Sequence, residues 1–274
     1  MSDDPVLWDV EEGVGIITLN RPERHNAQDQ ALERKYVDVL EEADRNPDVR
    51  VVVVTGAGPA FCVGGDFDTL DEIAETGGFF DEQIPRVLTR FNASIRKPVV
   101  AAVNGAAAGS GMVYAMSADL RFASTKAKFA TGFARLGLAA ERGMSWYLTQ
   151  IVGLGTALDL LLTGRVVLAE EALRLGLVSR VVPADELLDT TLAWAHDVIE
   201  KCSPSAMAVI KAQCYRDTSL HLFQGIAESA DITFRLLGGP DLAEGIEAFR
   251  EKRQAKFPPL DPPSLTAGTP FNPR

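Results

Sequence analysis

Two short stretches rich in small residues carry backbone groups able to stabilise a negatively charged oxygen. Gly56-Ala-Gly-Pro-Ala-Phe-Cys-Val-Gly-Gly-Asp66 follows the apolar run Val51-Val-Val-Val-Thr55. Asn104-Gly-Ala-Ala-Ala-Gly-Ser-Gly111 follows Pro98-Val-Val-Ala-Ala-Val103. A β-branched run that ends at a glycine reads as a buried strand entering a loop. Near Gly64 and Gly65 no side chain blocks close approach of a ligand to the backbone. Two such loops can offer one N–H group each to a single oxygen, which stabilises an oxyanion without any side chain. No Ser-His-Asp set, phosphate-binding Walker loop or metal-ligand spacing stands out. Cys62, Cys202 and Cys214 form neither a metal motif nor a disulfide framework.

The elements that must position these loops follow from periodicity. Val6–Val10 and Val14–Leu19 are β-rich and joined by Glu11-Glu-Gly13, a hairpin signal. From Ala27 to about Asn46, Leu32, Tyr36, Val39, Leu40 and Ala43 recur at spacings of three and four, so an amphipathic helix is expected, stopped by Asn46-Pro47. Strand, helix, strand in that order implies a right-handed crossover and a largely parallel sheet. A short helix and loop are expected between Phe67 and Gly78, a helix over Ile84–Ile95, and a short helix from about Gly109. Leu120–Ala123, Ala127–Ala130 and Val178–Val182 read as strands. Ser145–Val152, Ala157–Leu162 and Glu170–Leu175 read as helices, with Gly153, Gly164 and Gly176 as stops. From about Ala184 the pattern is helical over 184–201, 204–214, 218–236 and 240–255, and Ser203-Pro204 is a favoured helix start. The expected organisation is an α/β core over 1–200, a helical region over 201–257 and a proline-rich tail over 258–274.

The chain has 274 residues, 46% of them hydrophobic, with a net charge of −11. That is enough material for a sizeable core. The acidic balance argues against nucleic acid or an anionic membrane as main partner, but leaves room for an anionic small molecule held by local donors. The opening Met-Ser-Asp-Asp-Pro lacks the basic and apolar parts of a secretory signal, and no run approaches a bilayer-spanning length. The expectation is a cytoplasmic protein with three reduced cysteines.

Several motifs together resemble the crotonase (enoyl-CoA hydratase/isomerase) superfamily. They are Leu19-Asn-Arg-Pro-Glu-Arg-His-Asn-Ala27, the glycine-rich stretch ending at Asp66, Lys97-Pro-Val-Val-Ala-Ala-Val-Asn-Gly-x-Ala-x-Gly-x-Gly111, and Glu244-Gly-Ile-Glu-Ala-Phe-Arg-Glu-Lys-Arg253. The resemblance implies a spiral of ββα units followed by helices that assemble homotrimers, often dimers of trimers. It implies an acyl-CoA substrate, no cofactor beyond the coenzyme A that the substrate carries, and a thioester enolate held by the N–H groups of Gly65 and Ser110. It further implies that Arg24, His25 and Ala27 approach the nucleotide end of CoA, with Phe249 and Lys252, the latter pair often from a neighbouring subunit. A surface or helix-interface role for these residues stays open, and His25 reads mainly as a surface or nucleotide-side residue.

Hydratases of this family use two glutamates, one to activate water and one to donate a proton to the α-carbon. The first would fall at Val113 and the second at Phe133 in this sequence, so both carboxylates are absent. Phe133-Ala-Arg-Leu-Gly-Leu-Ala-Ala-Glu-Arg-Gly-Met-Ser-Trp146 resembles instead the isomerase branch, whose working carboxylate corresponds to Glu141. One glutamate in an apolar pocket suffices to remove a proton from C2 and return it at C4. Val113, Phe133, Leu136, Leu138 and Trp146 are the residues expected to wall that pocket. Glu141 has a bland alternative, as a surface carboxylate near a helix N-terminus or a partner of Arg142 or Arg135. The leading expectation is therefore an enoyl-CoA isomerase; a hydratase with a non-standard acid/base and a catalytically weak acyl-CoA-binding protein are the alternatives.

Overall fold

Glu12 and Gly13 both adopt positive φ (47° and 86°), the backbone a tight two-residue hairpin requires. Val6–Glu11 (β1) and Val14–Leu19 (β2) consequently pair antiparallel, with Glu11 opposite Val14. A computed structural model describes residues 4–76 and 92–260. The first helix, Gln30–Arg45 (α1), opens where the Asp29 carboxylate accepts the Leu32 N–H at 2.8 Å and closes where Asn46 turns extended before Pro47. Its buried face is Leu32, Tyr36, Val37, Val39, Leu40 and Ala43.

Val51–Gly56 (β3) lies parallel to β2, the crossover that the strand–helix–strand order demands. Its valines are buried on both faces. Val52 and Val54 join the main core with Leu32 and Tyr36, whereas Val51 and Val53 pack with Val14, Val100 and Phe122. Such double burial is the mark of a central parallel strand.

The chain then alternates between two sheets. Ala60–Cys62 (β4), Val99–Val103 (β5), Ala106–Ala108 (β6), Leu120–Ser124 (β7), Lys128–Ala130 (β8), Val167–Leu168 (β9) and Arg180–Val182 (β10) complete them. The six-stranded sheet has the order β1-β2-β3-β5-β7-β10, the four-stranded one β4-β6-β8-β9. From β3 to β8 successive strands alternate between the large sheet and the small one; β9 then joins the small sheet and β10 the large one. Helices Phe67–Thr76 (α2), Ser110–Met116 (α3), Met144–Val152 (α4), Leu154–Thr163 (α5) and Ala169–Leu175 (α6) fill the intervals. Leu187–Lys201 (α7) covers the second face of the large sheet through Leu187 and Ala195.

Pro204–Asp217 (α8), Leu222–Leu237 (α9) and Pro240–Glu251 (α10) follow. Ser203 caps α8 by accepting the Ala206 N–H. Lys211 ties α8 to the core: its buried ammonium reaches Asp119 at 2.8 Å, the Lys97 carbonyl at 2.9 Å and the Asn92 carbonyl at 3.1 Å. The pairing offsets part of the cost of burying this charge, though burial still pulls the Lys211 ammonium below its ordinary value. By contrast α9 buries no residue and exposes Leu222, Phe223, Ile226, Phe234 and Leu237.

The α/β spiral with C-terminal helices is thus as expected, with differences of detail. The stretches 56–66 and 104–111 are not simple loops, because each contains a three-residue strand of the second sheet. The last strand begins at Arg180 rather than Val178. Apart from Asn92–Ser94, a turn of 3-10 helix, and Ile95, the helix expected over 84–95 lies outside the described residues. So does the proline-rich tail beyond Leu260.

Candidate active site

The small sheet brings the two glycine-rich segments together. β4 and β6 run parallel, so their C-terminal ends lie side by side and open onto the same place. The approach is close. A Cβ added at Gly64 would stand 2.9 Å from the Ala108 carbonyl oxygen, and Gly64 also has a positive φ of 102°. A Cβ at Gly111 would stand 2.0 Å from the Cys62 carbonyl oxygen. Only glycine lets the start of α3 sit this near the end of β4.

Two backbone N–H groups where the loops abut lack a backbone acceptor among the described residues. Gln28 bridges Gly65 in parallel fashion, with Gln28 N–H donating to Gly64 O at 2.7 Å and Asp66 N–H donating to Gln28 O at 2.8 Å. In a parallel bridge the flanking residues make both bonds, so the N–H of Gly65 itself points away from the partner strand. Across the gap, Gly109 N–H donates to Ala130 O and Met112 N–H to Gly109 O. Ser110, between them, starts α3 with its N–H among the first-turn donors that a helix leaves unbonded. Neither Gly65 nor Ser110 donates to a backbone carbonyl in the loop bonds of the described residues. Two N–H groups on abutting loops without a backbone acceptor are an arrangement that could stabilise an oxyanion.

A charge cluster fixes the first loop. Asp66 is buried and meets Arg24 at 2.5 Å and Arg21 at 3.1 Å, while its Oδ1 accepts the Asp68 N–H at 3.2 Å. Arg24 reaches Asp68 as well, at 2.6 Å. The bond from Arg24 is the main reason the Asp66 carboxyl sits below its ordinary value of 3.8. Cys62, at the end of β4, is buried and its thiol is pushed up to about 12 by desolvation, which makes it no nucleophile at neutral pH.

Beside the two N–H groups lies a cavity of about 240 Å³. Gly65, Ser110, Phe133, Leu136, Leu138 and Glu141 all border it, Glu141 as an exposed rather than an enclosed carboxylate, and Leu70 and Ile73 of α2 add apolar surface. Polar residues come from the start of α1 and the loop before α4. Among them Glu33 pairs with Arg142, and both side chains are almost wholly buried (12% and 8% exposed). Burial pushes the Glu33 carboxyl up against the opposing pull of Arg142. Arg142 holds a left-handed φ of 53°, so the ion pair anchors an unusual backbone turn next to Glu141. Gln28 is buried at the edge of the same cavity, and neither its amide oxygen nor its amide nitrogen has a partner among the described residues.

Not every expected residue gathers here. Val113 is fully buried in the core on α3 and does not border the cavity; the helix turns it inward. Trp146 lies on α4, stacked on Tyr215 with ring centroids 6.2 Å apart, and also stays out of the cavity. Arg24 and His25 stand on the exposed shoulder of the loop and Ala27 is buried behind it. Phe249, 86% exposed, and Lys252 occupy the end of α10 and line no part of this cavity. Arg142 pairs with Glu33 and also lies within electrostatic reach of Glu141. Glu33 and Gln28 had escaped notice. Glu33 precedes buried Val37 by one helical turn, a signal that it faces inward; nothing local marks Gln28.

A larger groove of about 1080 Å³ separates α9 and α10 from the end of α1, lined by Arg45, Arg96, Leu236 and Phe257 among others. Neither Gly65 nor Ser110 lines it.

Comparison with known proteins agrees with this geometry. The family model described as enoyl-CoA hydratase/isomerase matches residues 9–259. A "Probable enoyl-CoA hydratase" of Mycobacterium tuberculosis is 36% identical over 261 residues, covering 94% of this chain and 99% of the relative. The 1,2-epoxyphenylacetyl-CoA isomerase of Escherichia coli is 33% identical over 258 residues, covering 92% and 97%. Among solved structures, a probable enoyl-CoA hydratase/isomerase from Mycobacterium abscessus superposes with a TM-score of 0.86 at 32% identity, covering 93% of this chain and 99% of the other. With the spiral, the abutting loops and whole-chain similarity in agreement, the chain belongs to the enoyl-CoA hydratase/isomerase (crotonase) family.

Proposed function

We propose that this family member is an acyl-CoA isomerase that shifts a double bond from the 3,4 to the 2,3 position through a thioester enolate. The Gly65 and Ser110 N–H groups accept the charge that develops on the thioester oxygen. Glu141 takes the proton from C2 and returns it at C4. One observation carries the reading: Glu141 borders the same small cavity as both donors. Phe133 presents an apolar face to that cavity, and Val113 is buried away from it. The two-carboxylate arrangement that water addition needs is therefore missing from those positions.

The nucleotide end of CoA would lie toward Arg24, His25 and Ala27, with Arg24 supplying charge for phosphate. Phe249 and Lys252 fit this role when supplied by another copy, since in their own chain they line no part of the cavity. The exposed apolar residues of α9 make self-assembly through the C-terminal helices, as a trimer or a dimer of trimers, the proposed quaternary arrangement.

The test is turnover of 3-enoyl-CoA and 2-enoyl-CoA of several chain lengths by the wild type and by Glu141→Gln. Isomerisation of the 3-enoyl series is expected, with kcat lowered about 10²–10⁴-fold in the variant. Activity unchanged by Glu141→Gln would reject the residue. Hydration of 2-enoyl-CoA as the main activity would replace the isomerase by a hydratase, and turnover of neither series would reject both.

A further inference from the structure

The cavity beside the oxyanion donors is not a plain hydrocarbon tunnel. One wall is apolar, from Phe67, Leu70 and Ile73. The cavity's polar lining comes from Gln28, Asp29, Gln30 and Glu33 and from Glu141 and Arg142. There Gln28 is only 4% exposed, and both atoms of its amide lack a partner among the described residues. A buried amide with neither its acceptor nor its donors used is costly and uncommon, and a ligand that bonds to it recovers that cost. The backbone of Gln28 is meanwhile committed on both sides, to Gly64 O and Asp66 N–H, which fixes the point from which its side chain springs. Close by, the Glu33–Arg142 pair extends the polar side of the cavity.

We infer that Gln28 is a specificity residue whose amide hydrogen-bonds an oxygen on the acyl group of the substrate. The preferred substrate class is then an acyl-CoA bearing a hydroxyl or carbonyl on its chain. A bare alkyl chain would cover Gln28 and leave its polar atoms unbonded, whereas an oxygenated chain satisfies them. A site built to bond an oxygen discriminates against the analogue that lacks it far more strongly than an apolar pocket discriminates by one methylene. The inference rests on the proposed acyl-CoA reading, but it concerns binding, not the proton transfer.

The test is therefore calorimetric binding of saturated acyl-CoAs, which cannot isomerise. Unsubstituted chains are compared with chains of equal length carrying one hydroxyl or one keto group at successive carbons from C4 outward. The wild type is expected to bind at least one oxygenated chain about 10- to 100-fold more tightly than its parent. Gln28→Leu is expected to abolish that difference; circular dichroism confirms that it is folded. Equal wild-type binding of all chains overturns the inference, and this measurement needs no variant. A difference that survives in folded Gln28→Leu overturns the assignment to Gln28. Binding without isomerase activity rejects only the proposed reaction, whereas failure to bind any acyl-CoA rejects both.

Discussion

Replacing Glu33 by alanine removes the ion-pair partner of the buried Arg142 guanidinium. The two side chains are 12% and 8% exposed, so the guanidinium has little contact with bulk water. Removing one partner of a pair this buried typically costs about 3–5 kcal/mol, chiefly because the remaining charge is uncompensated. At about 2–4 °C per kcal/mol for a chain of this size, the melting temperature should fall by roughly 6–20 °C. Activity should drop further than stability explains, because Arg142 adjoins Glu141 and holds a left-handed φ of 53°. Thermal denaturation and steady-state kinetics read the two effects separately. The decisive comparison is the double variant Glu33→Leu/Arg142→Met. Apolar replacement of both members of a buried pair is often neutral. The double variant should recover stability to within about 1–2 kcal/mol of the wild type while kcat stays low. An unchanged melting temperature in Glu33→Ala, or a double variant as unstable as the single one, would refute the stranded-charge reasoning.

Two further changes probe the oxyanion loops. Asp66→Asn should cost roughly 1–3 kcal/mol, since charge-assisted bonds to Arg21 and Arg24 weaken. The Asp66 carboxyl lies below its ordinary value in the folded state, so its contribution is present above the unfolded value and is lost as pH falls through the folded one. Acid titration of stability should accordingly be steeper for the wild type than for Asp66→Asn at and below about pH 4. Gly111→Ala puts a methyl 2.0 Å from the Cys62 carbonyl oxygen, a backbone atom with nowhere to go. It should cost more than the ~1–3 kcal/mol of ordinary overpacking and abolish activity, read as soluble yield and melting temperature.

Much of the frame was legible because local chemistry dictates it. The valines at 51–54 read as a strand buried on both faces, and they are. The apolar spacing from Leu32 to Ala43 and the Asn46-Pro47 stop predicted α1 to within a few residues at its start and one at its end. The strands β4 and β6 were not legible. Ala106-Ala-Ala108 carries no β-branched residue, and its strand state comes only from pairing with β4 and β8. Val113 was expected at the cavity from its position in a motif. It lies in the core instead, because α3 is buried on every side rather than only on the face away from the cavity.

By itself the sequence determined which backbone can approach closely and which faces seek burial, because glycine, proline and β-branched residues act on their own dihedral angles. Tertiary structure alone decided that Gly65 and Ser110 stand on abutting loops, that Glu141 shares a cavity with them, and that Glu33 and Arg142 meet across 109 residues. Those outcomes depend on how the two sheets stack and on which charges lose their water, and neither quantity is a property of any single stretch of chain.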